Sequence, residues 1–156
     1  MRPEPFLHPQ ALPATTHAYL DRSAASLAEA VATPDVRRRY ATAHVSALQA
    51  AAALLAARAN PDPRRRQRNA WVLLTRVAPE LTEWAQFFAA GAPKRAAAEA
   101  GARDAVTERE ADDLVRDADR FLATVESALG LVPHRTGPQR TAVAGRVLHD
   151  LERPSA

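Results

Sequence analysis

The stretch from Thr33 to Asn60 constrains the fold most, because its interior is almost entirely alanine and leucine. These residues lose little side-chain entropy in a helix, so the stretch predicts one long helix. Thr33 is suited to cap its start, Pro34 to occupy its first position, and Pro61 cannot continue it. The sequence therefore predicts a helix roughly 39 Å long that forms the core element of the fold.

Composition favours closely packed helices over sheets. Hydrophobic residues make up 47% of the 156-residue chain and aromatic residues only 5%, so alanine supplies much of the apolar count. The chain has no cysteine, which excludes disulfides, thiolate catalysis and Cys-ligated zinc and favours a reducing compartment. No run approaches the ~18 apolar residues of a membrane span, so we expect a cytoplasmic protein without a membrane or targeting segment.

Apolar spacing predicts an all-α fold, an up-down bundle of four main helices with a kinked third helix and short extra helices. Residues 1–14 form a Pro-rich lead-in that we expect to be disordered, residues 15–130 the bundle, and residues 131–156 a turn-rich tail with a possible short helix. The first helix is predicted from residue 15 or 16 to about residue 32. Because essentially Thr33 alone joins it to the second helix, the two are expected to form an antiparallel hairpin.

The third helix carries the bulky half of the predicted core. It follows an arginine-rich loop, begins after Asn69 as its cap, and contains both tryptophans within residues 71–88. Pro79 removes a backbone donor inside it, so we expect a break or a kink there. Gly91 and Pro93 are predicted to end it, leaving a short separate piece from residue 94 to residue 100.

The last strong helix opens with a capping box formed by Thr107 and Glu110, and Gly130 is suited to close it. Its early acids are interpreted as a solvated helix face rather than a metal site, since negative charge is favoured near a helix start. Those acids are Glu108, Asp112, Asp113 and Asp117. We predict no metal and no cofactor, and no partner is evident for His134 or His149 at ligand spacing.

Charge is divided between two parts of the chain. Residues 33–69 hold eight arginines and two acids, a net charge of +6, and residues 99–129 hold nine acids and four arginines, a net charge of −5. The arginines form two clusters: the first basic cluster is Arg37, Arg38 and Arg39, and the second is Arg64, Arg65, Arg66 and Arg68. One interpretation pairs the first cluster with the acids of the last helix. Another has both clusters holding phosphates of RNA or single-stranded DNA, for which the second cluster is the better candidate.

The run from Tyr40 to Leu55, with an Ala-rich face that contains Gln49, resembles the second helix of HEPN domains (higher eukaryotes and prokaryotes nucleotide-binding). The stretch from residue 70 to residue 92 resembles small stand-alone HEPN proteins from actinobacteria. The resemblance covers roughly residues 15–130. It implies a homodimer and a role in nucleic-acid metabolism, alongside repair or polymerase proteins.

Many HEPN proteins carry an Arg-x(4–6)-His motif and act as metal-independent endoribonucleases across a homodimer. Arg39 and His44 match the motif in residue type and spacing. The resemblance then implies that the imidazole helps to activate a ribose 2′-hydroxyl and that the guanidinium stabilises the phosphate. The family's pair lies in a late helix, however, and a distance of five positions places the two side chains roughly 140° apart on a continuous helix. We therefore favour the interpretation in which His44 is packed or hydrogen-bonded in the hairpin and Arg39 is solvated.

The sequence thus predicts a non-catalytic HEPN-like module that binds nucleic acid or a protein partner. Two alternatives stay open: an endoribonuclease using Arg39 and His44, and a protein-interaction scaffold without a nucleic-acid role.

Overall fold

The computed structural model describes residues 11–59 and 63–136, and for residues 63–69 it describes the backbone alone. Every regular element in this part of the chain is helical, which confirms the predicted all-α bundle. The lead-in up to residue 10, the tail from residue 137 and the helix predicted within that tail lie outside the described residues. The helices are α1 (Ala14–Ala32), α2 (Val36–Arg58), α3 (Pro63–Val77), a one-turn 3-10 helix (Pro79–Leu81), α4 (Thr82–Glu99) and α5 (Glu108–Ala128).

The start of α2 differs from the prediction. Thr33 ends α1, where its N–H donates to the Glu29 carbonyl, and the side chain that caps α2 is Asp35. The Asp35 carboxylate accepts from the backbone N–H of Arg37 at 3.1 Å. A carboxylate at a helix start satisfies an orphan donor and offsets the dipole. Asp35 therefore compensates in part for the arginines that follow it.

Buried polar side chains join α1 to α2. Thr16 donates from Oγ1 to the Ala53 carbonyl at 3.0 Å. The hydroxyls of Ser23 and Ser46 each donate to the other residue's carbonyl at 2.8 Å, and both side chains are fully buried. Every one of these hydroxyls thus has an acceptor in the helix opposite, as buried polar groups require.

The predicted arginine-rich loop is helical from Pro63 onward. The third helix begins at Pro63 rather than after Asn69, so the second basic cluster lies in its first two turns. Proline fits the first position of a helix and arginine is a good helix former, which accounts for the earlier start. The side chains of this cluster lie outside the described part of the chain.

Of the two outcomes expected at Pro79, the structure shows the break. Ala78 leaves helical geometry (φ −134°, ψ 74°), and a single 3-10 turn leads into α4. Gly91 and Pro93, by contrast, do not end α4, which runs on to Glu99. The predicted separate piece from residue 94 is therefore the last part of α4. The chain then turns at Gly101, whose φ of +83° favours glycine.

α2 lies at the centre of the bundle, with α1, α3, α4 and α5 packed against it. Its length and composition would suffice to span a membrane, with a mean hydropathy of 1.2, and 61% of that window is buried inside the bundle. α5 begins with the predicted capping box, because Thr107 and Glu110 each bond the other's backbone N–H. The fully buried alanines that bring these helices close together are Ala43, Ala47, Ala50, Ala51 and Ala53 on α2 and Ala111 and Ala118 on α5.

Candidate functional site

His44 lies inside the bundle, with only 1% of its surface exposed. Its Nε2 is 2.8 Å from the Phe88 carbonyl oxygen of α4. A carbonyl only accepts, so Nε2 carries the hydrogen and Nδ1 is the unprotonated nitrogen. Nδ1 is buried and has no hydrogen-bond partner in the described part of the chain. Burial lowers the pKa of His44 below its usual value, although the bond to Phe88 opposes this shift. The imidazole is therefore neutral near pH 7.

Aromatic rings hold the His44 ring in position. Trp71 and Phe88 each meet it edge-on, with ring centroids 6.1 Å and 6.0 Å away. Trp71 and Phe88 stack on each other at 5.2 Å, and Phe121 of α5 completes the cluster. Such arrangements add about 0.5–1.5 kcal/mol for each aromatic pair beyond buried area. His44 is thus one member of the aromatic core.

Arg39 is bound at a different place. Its Nη1 donates to Oδ1 of Asp112 on α5 at 2.6 Å, and its Nε donates to the Thr33 carbonyl at 3.2 Å. The Pro34 carbonyl accepts from Nη2 at 3.4 Å. Only 14% of the side chain is exposed, so the expectation of a solvated Arg39 is wrong. The structure therefore gives Arg39 and His44 separate sets of partners.

The other two arginines of the first cluster do not pair with the last helix. Arg37 donates from Nη1 to the Gly101 carbonyl at 2.6 Å. Arg38 forms an ion pair with Glu29 of α1 at 2.8 Å, in which both side chains are more than half exposed. The predicted pairing with α5 acids thus holds for Arg39 alone. An open groove of about 360 Å³ runs beside Arg37 and Arg38 and ends at Gly101.

A larger groove opens between α4 and α5, with α2 below it, and is named here the α4–α5 groove. Its volume is about 440 Å³, and an ion pair between Lys94 and Glu110 at 2.6 Å crosses it. The sequence interpretation missed this groove. A signal was present, since Phe87, Gly91 and Lys94 follow at spacings of four and three on one helix face. The groove is lined chiefly by Tyr40, Phe87, Gly91, Lys94, Asp113 and Asp117, with His44 and Phe88 at its floor.

Two acids of the α4–α5 groove were predicted to form a solvated face. Asp113 fits that prediction, because its side chain is 48% exposed and pairs on the surface with Arg116 one turn later, while Arg109 lies 3.9 Å away. Asp117 makes no hydrogen bond or ion pair within the described residues. Burial raises the pKa of Asp117, while the nearby Arg120 opposes this shift. One carboxylate of the groove is therefore partly desolvated and unpaired.

The structure also gives His134 two carboxylate partners, which the sequence does not indicate. Its Nδ1 contacts the Glu126 carboxylate and its Nε2 contacts the Asp119 carboxylate, both on α5. Burial favours the neutral ring, but the bonds to the two carboxylates dominate and raise the pKa of His134. His149 lies outside the described residues. Within residues 11–59 and 63–136, no three His, Cys, Asp or Glu side chains are arranged to hold a metal ion.

The comparisons with known proteins give one match. A family model described as HEPN-like matches residues 30–126, which is more than half of the chain. The matched range includes α2, α3, α4 and nearly all of α5. No curated protein and no solved structure matches the chain significantly. The chain belongs to the HEPN-like family.

Proposed function

We propose that this HEPN-like domain is a non-catalytic module that acts by binding nucleic acid. The observation that supports the non-catalytic part is the burial of His44, which is 1% exposed and donates its one N–H to the Phe88 carbonyl. A general base has to come within hydrogen-bond reach of the proton that it removes. The imidazole lies beneath the α4–α5 groove, but with 1% of its surface exposed and its edges packed against Trp71 and Phe88 it offers almost no surface to a ribose hydroxyl.

Arg39 supports the same proposal. Its guanidinium already donates to the Asp112 carboxylate and to two backbone carbonyls. Binding a phosphate would require it to give up a charge-assisted hydrogen bond, which contributes about 1.5–3 kcal/mol. Catalysis by Arg39 and His44 would therefore require both side chains to leave their present partners.

The proposed contacts to nucleic acid are the four arginines of the second basic cluster, together with Arg37 and Arg38 of the first. Arg64, Arg65, Arg66 and Arg68 follow the start of α3, which has no acidic residue in its first turn. The helix dipole disfavours cations there by about 0.3–1 kcal/mol each. A phosphate bound at this end would relieve that repulsion, and Arg37 and Arg38 would add contacts at the start of α2. Such contacts hold the backbone of RNA or single-stranded DNA without reading its bases.

A ribonuclease assay tests the non-catalytic part. Purified protein is incubated with mixed RNA in EDTA, beside the variants Arg39→Lys and His44→Gln. We expect no cleavage above that of a buffer control. Cleavage by the native protein that both variants lose would overturn the proposal in favour of the metal-independent endoribonuclease.

Salt-dependent binding tests the nucleic-acid part. Affinity for labelled oligouridylate and oligothymidylate is measured by fluorescence anisotropy over a range of salt. Affinity falls with salt, and each phosphate contact makes the slope of log affinity against log salt steeper by about 0.7 for a single strand. Replacing the four α3 arginines by glutamine should make this slope shallower by up to about 2.8. Arg109→Gln is the matched control, because its side chain on α5 is 92% exposed. A slope near zero, or one that the four substitutions leave unchanged, would contradict the proposal.

The homodimer implied by the family resemblance is part of the proposal. Two copies would double the number of arginines that one strand meets, which raises the apparent affinity through effective concentration. Sedimentation analysis over a range of protein concentrations measures this directly. A monomer at tens of micromolar would remove the dimer and leave single-copy binding.

A further inference from the structure

We propose that the α4–α5 groove is a docking site for an arginine side chain carried by an apolar segment of a partner protein. This inference rests on the proposed role as a binding module, and it uses a different surface from the basic clusters. The groove contributes three properties: an exposed aromatic ring, an unpaired carboxylate and a negative balance of charge.

The shape of the groove suits one long side chain and its neighbours. A volume of about 440 Å³ falls within the usual range for ligand clefts. Its floor is formed by His44 and Phe88, which are almost completely buried and pack edge-on against each other. Phe87 stands at the rim with 46% of its surface exposed, so one aromatic ring is available to a bound group. On the α4 side, Gly91 leaves the wall without a side chain.

Charge in the groove favours a cation and disfavours a phosphate. Its lining holds one cation, Lys94, and three carboxylates, those of Glu110, Asp113 and Asp117. Lys94 is bound by Glu110 at 2.6 Å, and Asp113 is bound by Arg116. Asp117 is left as the acceptor that an incoming cation would meet. A nucleic-acid backbone would be repelled by the same carboxylates.

An arginine can contact both the exposed aromatic ring and the unpaired carboxylate of the groove better than a lysine can. Its planar guanidinium stacks on an aromatic face and also donates two parallel hydrogen bonds to a carboxylate. Phe87 and Asp117 line the same groove and supply these two kinds of contact. Apolar neighbours of the arginine would then cover the exposed part of Phe87. The predicted ligand is therefore a segment in which one arginine is flanked by leucine-like residues.

The test is a titration of the full chain, followed by NMR, with the tripeptide acetyl-Leu-Arg-Leu-amide. Three matched peptides carry citrulline, lysine or glutamate in place of arginine. We expect the arginine peptide to shift the amide signals of Phe87, Gly91 and Asp117 in a saturable way. Citrulline has the same shape without the charge, so it should bind at least about tenfold more weakly, and glutamate should not bind. Equal binding of the arginine and citrulline peptides would overturn the proposal.

Variants of the lining make the same test residue-specific. Asp117→Asn removes the charge with little change in shape and should weaken binding of the arginine peptide about tenfold. Asp104→Asn removes a charge from the exposed turn before α5 and should leave binding unchanged. Phe87→Leu keeps an apolar rim but loses the ring face, and should reduce the preference for arginine over lysine. Unchanged binding in Asp117→Asn would contradict the proposal even if the peptide binds.

Two results would identify another occupant and so overturn the assignment to a partner protein. Peptide binding that strengthens when Arg140, Arg146 and Arg153 are replaced by glutamine would mean that the chain's own last residues occupy the groove. Binding that strengthens only on dilution of the protein would indicate a second copy there. The oligonucleotide assay separates this inference from the proposed function. Substitutions in α3 should lower the affinity for oligonucleotides alone, and Asp117→Asn should lower the affinity for the peptide alone.

Discussion

Replacing His44 by leucine is expected to destabilise the bundle by about 1–2 kcal/mol at pH 8. The substitution removes the N–H that bonds the Phe88 carbonyl at 2.8 Å. An acceptor that loses its partner in a buried place costs about 1–3 kcal/mol, and the apolar surface of leucine offsets part of that loss. For a chain of 156 residues this corresponds to a fall in Tm of about 2–8 °C.

The matched variant is His44→Gln, whose amide N–H reaches toward the same carbonyl. We expect it to lose less than half as much stability as the leucine variant, because the hydrogen bond is retained. Thermal and urea unfolding followed by circular dichroism measure both variants against the native chain. Equal losses in the two variants would mean that the bond to Phe88 contributes nothing measurable.

The stability that His44 contributes should depend on pH. Because the folded pKa of His44 is lowered, the unfolded chain takes up a proton that the folded chain does not. The stability that His44 contributes is therefore complete above the usual pKa of histidine and is lost as the pH falls below it. The deficit of His44→Leu should shrink in that range by at most about 1.4 kcal/mol per pH unit. A deficit that stays constant between about pH 8 and pH 5 would refute a neutral, buried His44.

Three further predictions concern other contacts. Arg39→Ala should cost about 1–3 kcal/mol of unfolding free energy, because the Arg39 side chain is only 14% exposed and donates to three acceptors. Arg38→Ala is the control and should cost less than about 1 kcal/mol, because the Arg38 side chain is 66% exposed. Equal losses in urea unfolding would contradict this prediction. Gly91→Ala should stabilise the Tyr40→Phe variant more than the native chain, because the added Cβ would lie 3.1 Å from the Tyr40 hydroxyl oxygen. Without that hydroxyl, the helix propensity of alanine should contribute its full value of about 1 kcal/mol to the free energy of unfolding. A double-mutant cycle that shows no coupling between the two substitutions would contradict the contact. The folded pKa of His134 is raised, so its contribution to stability is complete below the usual pKa of histidine and is lost as the pH rises through the folded pKa. His134→Gln should therefore destabilise the chain more in acid than in base. An NMR titration that gives an unshifted pKa would contradict the contact with two carboxylates.

Local signals were sufficient for the helices that depend on their own residues. The capping box of Thr107 and Glu110 and the stop at Gly130 were read from the sequence, because caps use residues within one turn of the helix end. The same local rules failed inside α4. Gly91 and Pro93 are helix breakers in isolation, but packing of α4 against α2 overrides that preference, and Gly91 lies where α4 meets Tyr40.

The site was less predictable because its partners come from distant parts of the chain. A structural role for His44 followed from its place on the core helix, but its acceptor Phe88 lies 44 residues later and no periodicity indicates that pairing. His134 meets Asp119 and Glu126 only because the chain reverses after Gly130, whose φ is +76°. Long-range pairs of this kind depend on how helices pack and turn, which single-sequence patterns do not contain.

The hydroxyl contacts between α1 and α2 have a consequence for folding accuracy. A helix face made of alanines looks much the same after a shift of one turn, so apolar packing alone would allow the hairpin to slide along itself. Such a shift would separate Ser23 from Ser46 and leave buried hydroxyls unsatisfied, at about 1–3 kcal/mol for each group. The serine pair and Thr16 thus fix the register of the two helices. Replacing Thr16, Ser23 and Ser46 by alanine would test this, since we expect a chain that keeps its helices but populates more than one register.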